Sequence, residues 1–184
     1  MTNLAFPSEE FPAQPAITLQ IPEDWESVHT PGAVIAARRA ADDGSFVPNV
    51  VVRIERRPAD FEITDALAEL RAFAGERPQG TTSEPFNVEL AGQAFVGCDL
   101  SWVDDHAGTV LQAHLLGGIA SGPFVQLVQV TGSVGGARAS ADYPIVKTIM
   151  KSLTVAAPET GQGKSERRLP DASTKATARV PGCG

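Results

Sequence analysis

Apolar and polar side chains alternate through much of the chain, first at Ile17, Leu19 and Ile21. A period of two places these side chains on one face of a β-strand, and Pro22 ends the strand because proline has no backbone N–H to donate. Similar patterns predict further strands over 33–40, 49–56, 85–90, 94–103, 109–117 and 123–131. Short loops that contain glycine join the last four, so these strands are expected to form consecutive antiparallel hairpins.

A first helix is predicted over residues 63–74, where the apolar spacing lengthens from two to that of a helix. Its apolar row consists of Leu67, Leu70 and either Phe73 or Ala74. Thr64 is the expected N-cap, and Gly75 ends the periodic run. This segment is therefore expected to lie as an amphipathic helix against the strands.

A second helix is predicted from about Ser140 to Leu153. Its apolar row consists of Ile145, Ile149 and Leu153, with Val146 and Met150 beside them. Residues four apart lie on one face of a helix, so this row is expected to face the core. Pro144 is expected within about the first turn, where a missing N–H costs little.

The chain divides into one domain and two flanking segments. Residues 1–14 contain prolines and an acidic pair without periodicity, and we expect a mobile arm there. Residues 15–155 carry the strand and helix patterns and form the domain. The segment 156–184 is rich in Gly, Pro, Ser, Thr and Lys, a composition that buries too little apolar surface to fold, so a disordered tail is expected.

Charge and composition exclude several classes of protein. The formal net charge is −7, and because the 28 C-terminal residues hold 5 of the 15 basic and 3 of the 22 acidic side chains, the rest of the chain is more acidic still. Such a surface repels phosphate backbones, so nucleic acid is not an expected partner. No stretch approaches the roughly 20 apolar residues of a membrane span.

The N-terminus and the cysteines bear on location. The first 15 residues lack the basic start, apolar core and cleavage site of a signal peptide, so a cytoplasmic location is expected. Cys98 lies in a strand pattern and Cys183 in the tail, and both are expected to be free thiols.

The order of elements and two short motifs resemble a known fold family. "IPEDW" at 21–25 is similar to the opening "lPegW" element of the PsbP-like α/β/α sandwich superfamily, and "DYPIVKTIMKSL" at 142–153 is similar to its closing helix. Within that superfamily the chain resembles the DcrB-like and LpqN/LpqT groups. The resemblance implies an α+β fold, an antiparallel β-sheet flanked by helices, with Trp25 closing one end of the core.

The same resemblance implies a binding role in place of catalysis. Similar domains serve as photosystem accessory subunits, Ran-binding regulators, lipoproteins and chaperones that escort secretion effectors. LpqN-type proteins usually carry a lipoprotein signal with a cysteine near the N-terminus, and neither is seen in this sequence, so an envelope location is not expected. The resemblance therefore implies a protein partner, of unknown identity, and no cofactor.

Polar side chains on the hairpin strands are the candidate contact residues. If Leu100 lies opposite Leu111, then the side chains of one face are core, namely Val96, Cys98, Leu100, Leu111, Ala113 and Leu115. The other face then collects Asp99, Ser101, Gln112 and His114, and the next strand adds Gln126. Since this face turns apolar at Val128 and Val130, a protein segment is expected to bind at Gln112, His114, Gln126 and Val128.

Two chemical alternatives use residues of the same region. A small hydrolase or ligand-binding enzyme could use Asp99, Ser101 and His114. Ser101 lies in mid-strand without a G-x-S-x-G turn, however, and a polar strand face explains the three residues better. The loop "DDHAG" at 104–108 places His106 beside Asp104 and Asp105. Side chains of one tight turn rarely converge on a metal ion, so turn chemistry is expected there and no metal site.

Overall fold

The computed structural model describes residues 3–40 and 46–156. The predicted tail at 157–184 lies outside the described residues, and its expected disorder stays a prediction. In order along the described chain the strands are β1 (Ala16–Thr18), β2 (Trp25–Ser27), β3 (Ile35–Arg39), β4 (Asn49–Pro58), β5 (Thr81–Thr82), β6 (Phe86–Leu90), β7 (Gln93–Asp104), β8 (Gly108–Ser121), β9 (Phe124–Gly135) and β10 (Thr154–Ala156). The helices are α1 (Ile63–Gly75) and α2 (Ala139–Lys151), the second preceded by a 3₁₀ turn at Gly136–Arg138.

Eight of these strands form one antiparallel sheet. Its order is β2-β3-β4-β9-β8-β7-β5, and β6 also pairs with β7. The first predicted strand is not part of this sheet, because β1 pairs with β10 in a separate two-stranded sheet, where Ile17 lies opposite Val155. The fold is therefore α+β, with an antiparallel sheet flanked by helices, as the sequence predicted.

Each face of the large sheet is covered by one helix. On the face that we call the α1 face, Leu67 and Leu70 pack in one cluster with Leu100, Leu116 and Leu127. On the opposite, α2 face, the buried side chains of α2 pack on valines from β4 and β9. Neither helix is long and apolar enough to cross a membrane.

Helix α1 buries the predicted side and begins at the predicted residue, but its N-cap differs from the expected one. Its buried residues are Ala66, Leu67, Leu70 and Ala74. The N-cap is Glu62 and not Thr64, and the backbone N–H of Glu62 donates to Asp65 Oδ2 at 3.1 Å. The Asp65 carboxylate thus accepts a hydrogen bond from the backbone of the N-cap residue. It also places negative charge in the first turn, where the helix dipole favours it.

Helix α2 is rotated from the predicted orientation. Ile145 is 38% exposed, whereas Val146, Ile149 and Met150 are buried. The buried row begins at Asp142, which a search for apolar spacing does not include. The burial of Asp142 is tolerated because its carboxylate accepts a 2.5 Å hydrogen bond from Arg39 Nη1. The inward face is therefore set partly by a buried ion pair that joins α2 to β3.

The N-terminal arm and Trp25 complete the α2 side. Trp25 is 6% exposed, as predicted, although it lies in edge strand β2 and not in a turn. The arm was expected to be mobile, and that remains a prediction; its last residues nevertheless contact the sheet. The carbonyl of Pro12 accepts from Arg56 Nη2 at 2.9 Å, and that of Ala13 accepts from Gln126 Nε2 at 2.8 Å.

Candidate functional site

The β7–β8 hairpin differs by one residue from the predicted register. Leu100 lies opposite Gln112, and Ser101 lies opposite Leu111. Directly paired residues share a face, and a shift of one residue exchanges the two faces of a strand relative to its neighbour. His114, which is paired with Cys98, therefore lies on the α1 face.

The prediction that Asp99, Ser101 and His114 share one face is wrong because of this shift in register. Asp99 is paired with Ala113 and points to the α2 face, as does Ser101, so the sheet separates both from His114. Ser101 Oγ is instead 2.8 Å from Thr81 Oγ1. A serine nucleophile needs an adjacent histidine base, and this arrangement does not supply one.

The four residues predicted to bind a partner do not form one surface. Gln112 and His114 lie on the α1 face, whereas Gln126 and Val128 lie on the α2 face, opposite Arg56 and Ile54 of β4. His114 is 3% exposed, Gln126 is 1% exposed and Val128 is fully buried. The predicted shared face is therefore wrong, because the register of β8 with β9 places the two pairs on opposite faces, and His114, Gln126 and Val128 are buried inside the domain.

The buried His114 ring is held by a chain of hydrogen bonds. Its Nε2 lies 3.0 Å from Gln112 Oε1, and its Nδ1 lies 3.2 Å from Thr131 Oγ1. Gln112 Nε2 in turn donates to Ser133 Oγ at 2.9 Å. Since Gln112 Oε1 can only accept, the proton of the neutral ring lies on Nε2, and Nδ1 accepts from the Thr131 hydroxyl. Burial lowers the pKa of His114 to about 4, against a smaller opposing effect of Asp99.

The loop after β7 shows turn chemistry. Asp104 Oδ1 accepts from the backbone N–H groups of His106 and Ala107, each at 2.9 Å. These hydrogen bonds lower the pKa of the Asp104 carboxyl. Across the described residues, no three His, Cys, Asp or Glu side chains lie close enough to hold a metal ion.

Strand β6 presents an unpaired edge of the large sheet. It pairs only with β7 among the described strands, and a two-residue turn at Ala91 and Gly92, both with positive φ, joins them. In such a hairpin the pair that flanks the turn, here Leu90 and Gln93, exchanges hydrogen bonds, and bonded pairs then recur at every second residue. The backbone N–H and C=O groups of Asn87 and Glu89 therefore point away from β7.

A cleft borders β6 on each face of the sheet. The cleft on the α2 face is about 120 Å³, and its lining includes Phe86, Val88, Met150, Lys147 and Lys151. The cleft on the α1 face is about 470 Å³. Its lining includes Ile63, Val96, Leu116 and Gly118, with Asn87 and Glu89 at the β6 side.

Charged and aromatic groups meet in the α2-face cleft. Lys147 Nζ lies 3.1 Å from Asp99 Oδ2 and 4.6 Å from the centre of the Tyr143 ring. Burial, reinforced by the neighbouring Asp99, raises the pKa of the Tyr143 hydroxyl. The ring of Phe86 lies over Gly97, where a Cβ would be 2.3 Å from it, and Phe86 stays 42% exposed. The cleft thus offers an apolar wall with ammonium groups beside it.

Comparison with known proteins identifies the fold. Neither a protein-family model nor a curated protein matches the sequence. Among solved structures, LpqN, involved in cell envelope biogenesis of Mycobacterium tuberculosis, is 17% identical with a TM-score of 0.66, over 79% of this chain and 86% of LpqN. The domain has the fold of LpqN.

Two further structures support this assignment. Protein PA94 of Pseudomonas aeruginosa, a protein of unknown function, is 16% identical with a TM-score of 0.54, over 75% of this chain and 96% of PA94. Cyanobacterial PsbP (CyanoP) from Synechocystis sp. PCC 6803 is 16% identical with a TM-score of 0.51, over 78% of this chain and 93% of CyanoP. The domain therefore has a PsbP-like fold. The TM-scores carry this assignment, and at identities this low the function of the domain has to be argued from its own residues.

Proposed function

We propose that the PsbP-like domain is a non-catalytic module that binds an extended segment of another protein along strand β6. The observation that carries this proposal is the outward edge of β6, where the backbone groups of Asn87 and Glu89 have no neighbouring strand among the described residues. An added strand satisfies such groups with main-chain hydrogen bonds, while alternate side chains enter pockets on the two faces. Both faces beside β6 have such clefts.

The two ends of the large sheet differ in how they are protected. At one end β2 is three residues long, and the Glu26–Arg38 ion pair, at 2.8 Å, lies across the β2–β3 pair. Short strands and charged side chains discourage pairing with other chains. Strand β6 is five residues long, contains no proline and carries the exposed Phe86. It is therefore the better site for strand addition.

The placement of the candidate catalytic residues supports a role without catalysis. Asp99 and Ser101 lie on the α2 face and His114 lies on the α1 face, so the three side chains do not come together. A cytoplasmic location and a lack of nucleic acid partners remain predictions, which cell fractionation and a binding assay with DNA and RNA would test.

A proline substitution in β6 tests the proposal. Glu89→Pro removes an outward N–H without removing a hydrogen bond to β7, whereas Glu89→Ala keeps the N–H and removes only the side chain. Partners recovered from the native host by the wild-type chain should be recovered by Glu89→Ala and lost with Glu89→Pro, while circular dichroism shows both variants folded. Equal recovery by folded Glu89→Pro, or no specific recovery by the wild type, would contradict the proposal.

A further inference from the structure

We infer that the segment bound along β6 carries an acidic side chain on the α2 face, flanked by large apolar side chains on the α1 face. This inference rests on the proposed function and specifies the chemistry of the partner. It follows from what lies on each side of Val88, the central residue of β6.

The α2-face cleft has an excess of positive charge. Its lining includes the ammonium groups of Lys147 and Lys151, one turn apart on α2, and the carboxylate of Asp99. Asp99 pairs with Lys147, whereas Lys151 is exposed and forms no ion pair within the described residues. One further carboxylate would balance the charge of this cleft.

Strand geometry decides which partner residue reaches this cleft. Val88 is paired with Phe95 and packs on the α2 side of the sheet. A partner residue directly opposite Val88 shares its face and so points toward the lysines. The methylene groups of a glutamate would lie against Phe86 and Val88, and its length lets the carboxylate approach Lys151.

The neighbouring partner residues point to the other cleft. They lie opposite Asn87 and Glu89, whose side chains are directed to the α1 face because successive residues alternate. The floor of this cleft is apolar, formed by Val96, Leu116 and Ile63, and at Gly118 no side chain fills it. Leucine or phenylalanine fits there, while an acidic residue would be repelled by Glu89.

A second copy of this chain that is paired centrally through β6 does not satisfy these requirements. If two β6 strands paired antiparallel about a two-fold axis at Val88, each Val88 would lie opposite the other, so no carboxylate would face the lysines. Asn87 and Glu89 would then face each other across the α1 side in place of large apolar residues. The charge and shape of the two clefts therefore favour a different protein with an apolar–glutamate–apolar sequence.

Three synthetic peptides test this chemistry. Each is nine residues long, acetylated and amidated, with Gly, Ser and Thr flanks around a centre of Leu-Glu-Leu, Leu-Lys-Leu or Ser-Glu-Ser. Titration into the ¹⁵N-labelled full chain should shift the amide resonances of Asn87, Glu89 and Lys151. The Leu-Glu-Leu peptide should bind about three- to tenfold more tightly than Leu-Lys-Leu, the range expected for an exposed charge interchange, and more tightly than Ser-Glu-Ser.

A charge interchange in the protein provides the control. Lys151→Glu should reverse the preference between the Glu and Lys peptides, while Arg71→Glu, on the exposed side of α1, should leave it unchanged. Equal binding of the Glu and Lys peptides at the β6 amides would overturn this inference and leave the proposed function standing. No β6 shift with any of the three peptides would overturn both.

Discussion

Lowering the pH from about 7.5 to about 5 is expected to destabilise the domain through His114. The ring is 3% exposed, and its hydrogen bonds to Gln112 and Thr131 suit the neutral form. Burial holds its pKa near 4, below the 6.5 of an unperturbed histidine. The unfolded chain therefore binds a proton at mildly acidic pH while the folded domain does not, and protonation favours unfolding.

The size of the effect follows from the two pKa values. The stabilisation is complete above the unfolded pKa of 6.5 and is lost as the pH falls toward the folded pKa of about 4. Over the whole window the loss approaches about 3 kcal/mol, and about 2 kcal/mol is lost by about pH 5. A loss of about 2 kcal/mol is a large fraction of the roughly 5 to 15 kcal/mol that stabilises a typical domain.

Urea unfolding at the two pH values, followed by circular dichroism, measures this loss. Carboxylates also titrate near pH 5, so the matched control is His114→Gln, which keeps a polar side chain but does not titrate. We expect the free energy of unfolding to fall by about 2 kcal/mol more in the wild type than in the variant. An equal fall in the two proteins would refute the assignment of His114 as a buried neutral group.

Two further predictions concern packing. Gly132→Ala is expected to destabilise the domain by about 1 to 3 kcal/mol, because the added Cβ would lie 2.2 Å from Val146 Cγ1. The control Gly118→Ala should be nearly neutral, because its added Cβ would lie 3.4 Å from the nearest atom. Equal melting temperatures of the two variants would contradict the close approach of α2 to β9. Trp25→Ala should cost about 3 to 5 kcal/mol in urea unfolding, as for a core aromatic, and a cost under about 1 kcal/mol would show that Trp25 contributes little to the core.

Local periodicity is sufficient to predict the longer elements of this fold. The patterns of β4, β7, β8, β9 and α1 are repeated over two or more pleats or turns, so each element starts within one residue of the predicted position. Strands β8 and β9 nevertheless extend four residues past their predicted ends. Strands β2, β5 and β10 are only two or three residues long. They exist because a distant strand offers hydrogen bonds, a cause that no local pattern contains.

The register of the β7–β8 hairpin shows why the site was harder to predict. Alternation defines the two faces of each strand, but the offset between strands depends on the turn, where Asp104 pairs with Gly108. The predicted register gathered the apolar side chains of both strands on one face and so placed Leu100 opposite Leu111. In the structure Gln112 and His114 satisfy each other on the α1 face, so their polarity did not indicate exposure.

The proposed binding edge depends on two features that are distant from one another in the sequence. Among the described strands β6 has no outer neighbour, because β5 pairs farther along β7, at Leu100 and Ser101. Lys147 and Lys151 reach the same cleft because α2 packs on the face to which Val88 points. In the sequence these two lysines look like those of any solvent-exposed helix face, and Phe86 looks like any aromatic residue of a strand. Only the pairing of β6 with β7 and the packing of α2 bring a free backbone edge, an apolar wall and an excess positive charge together.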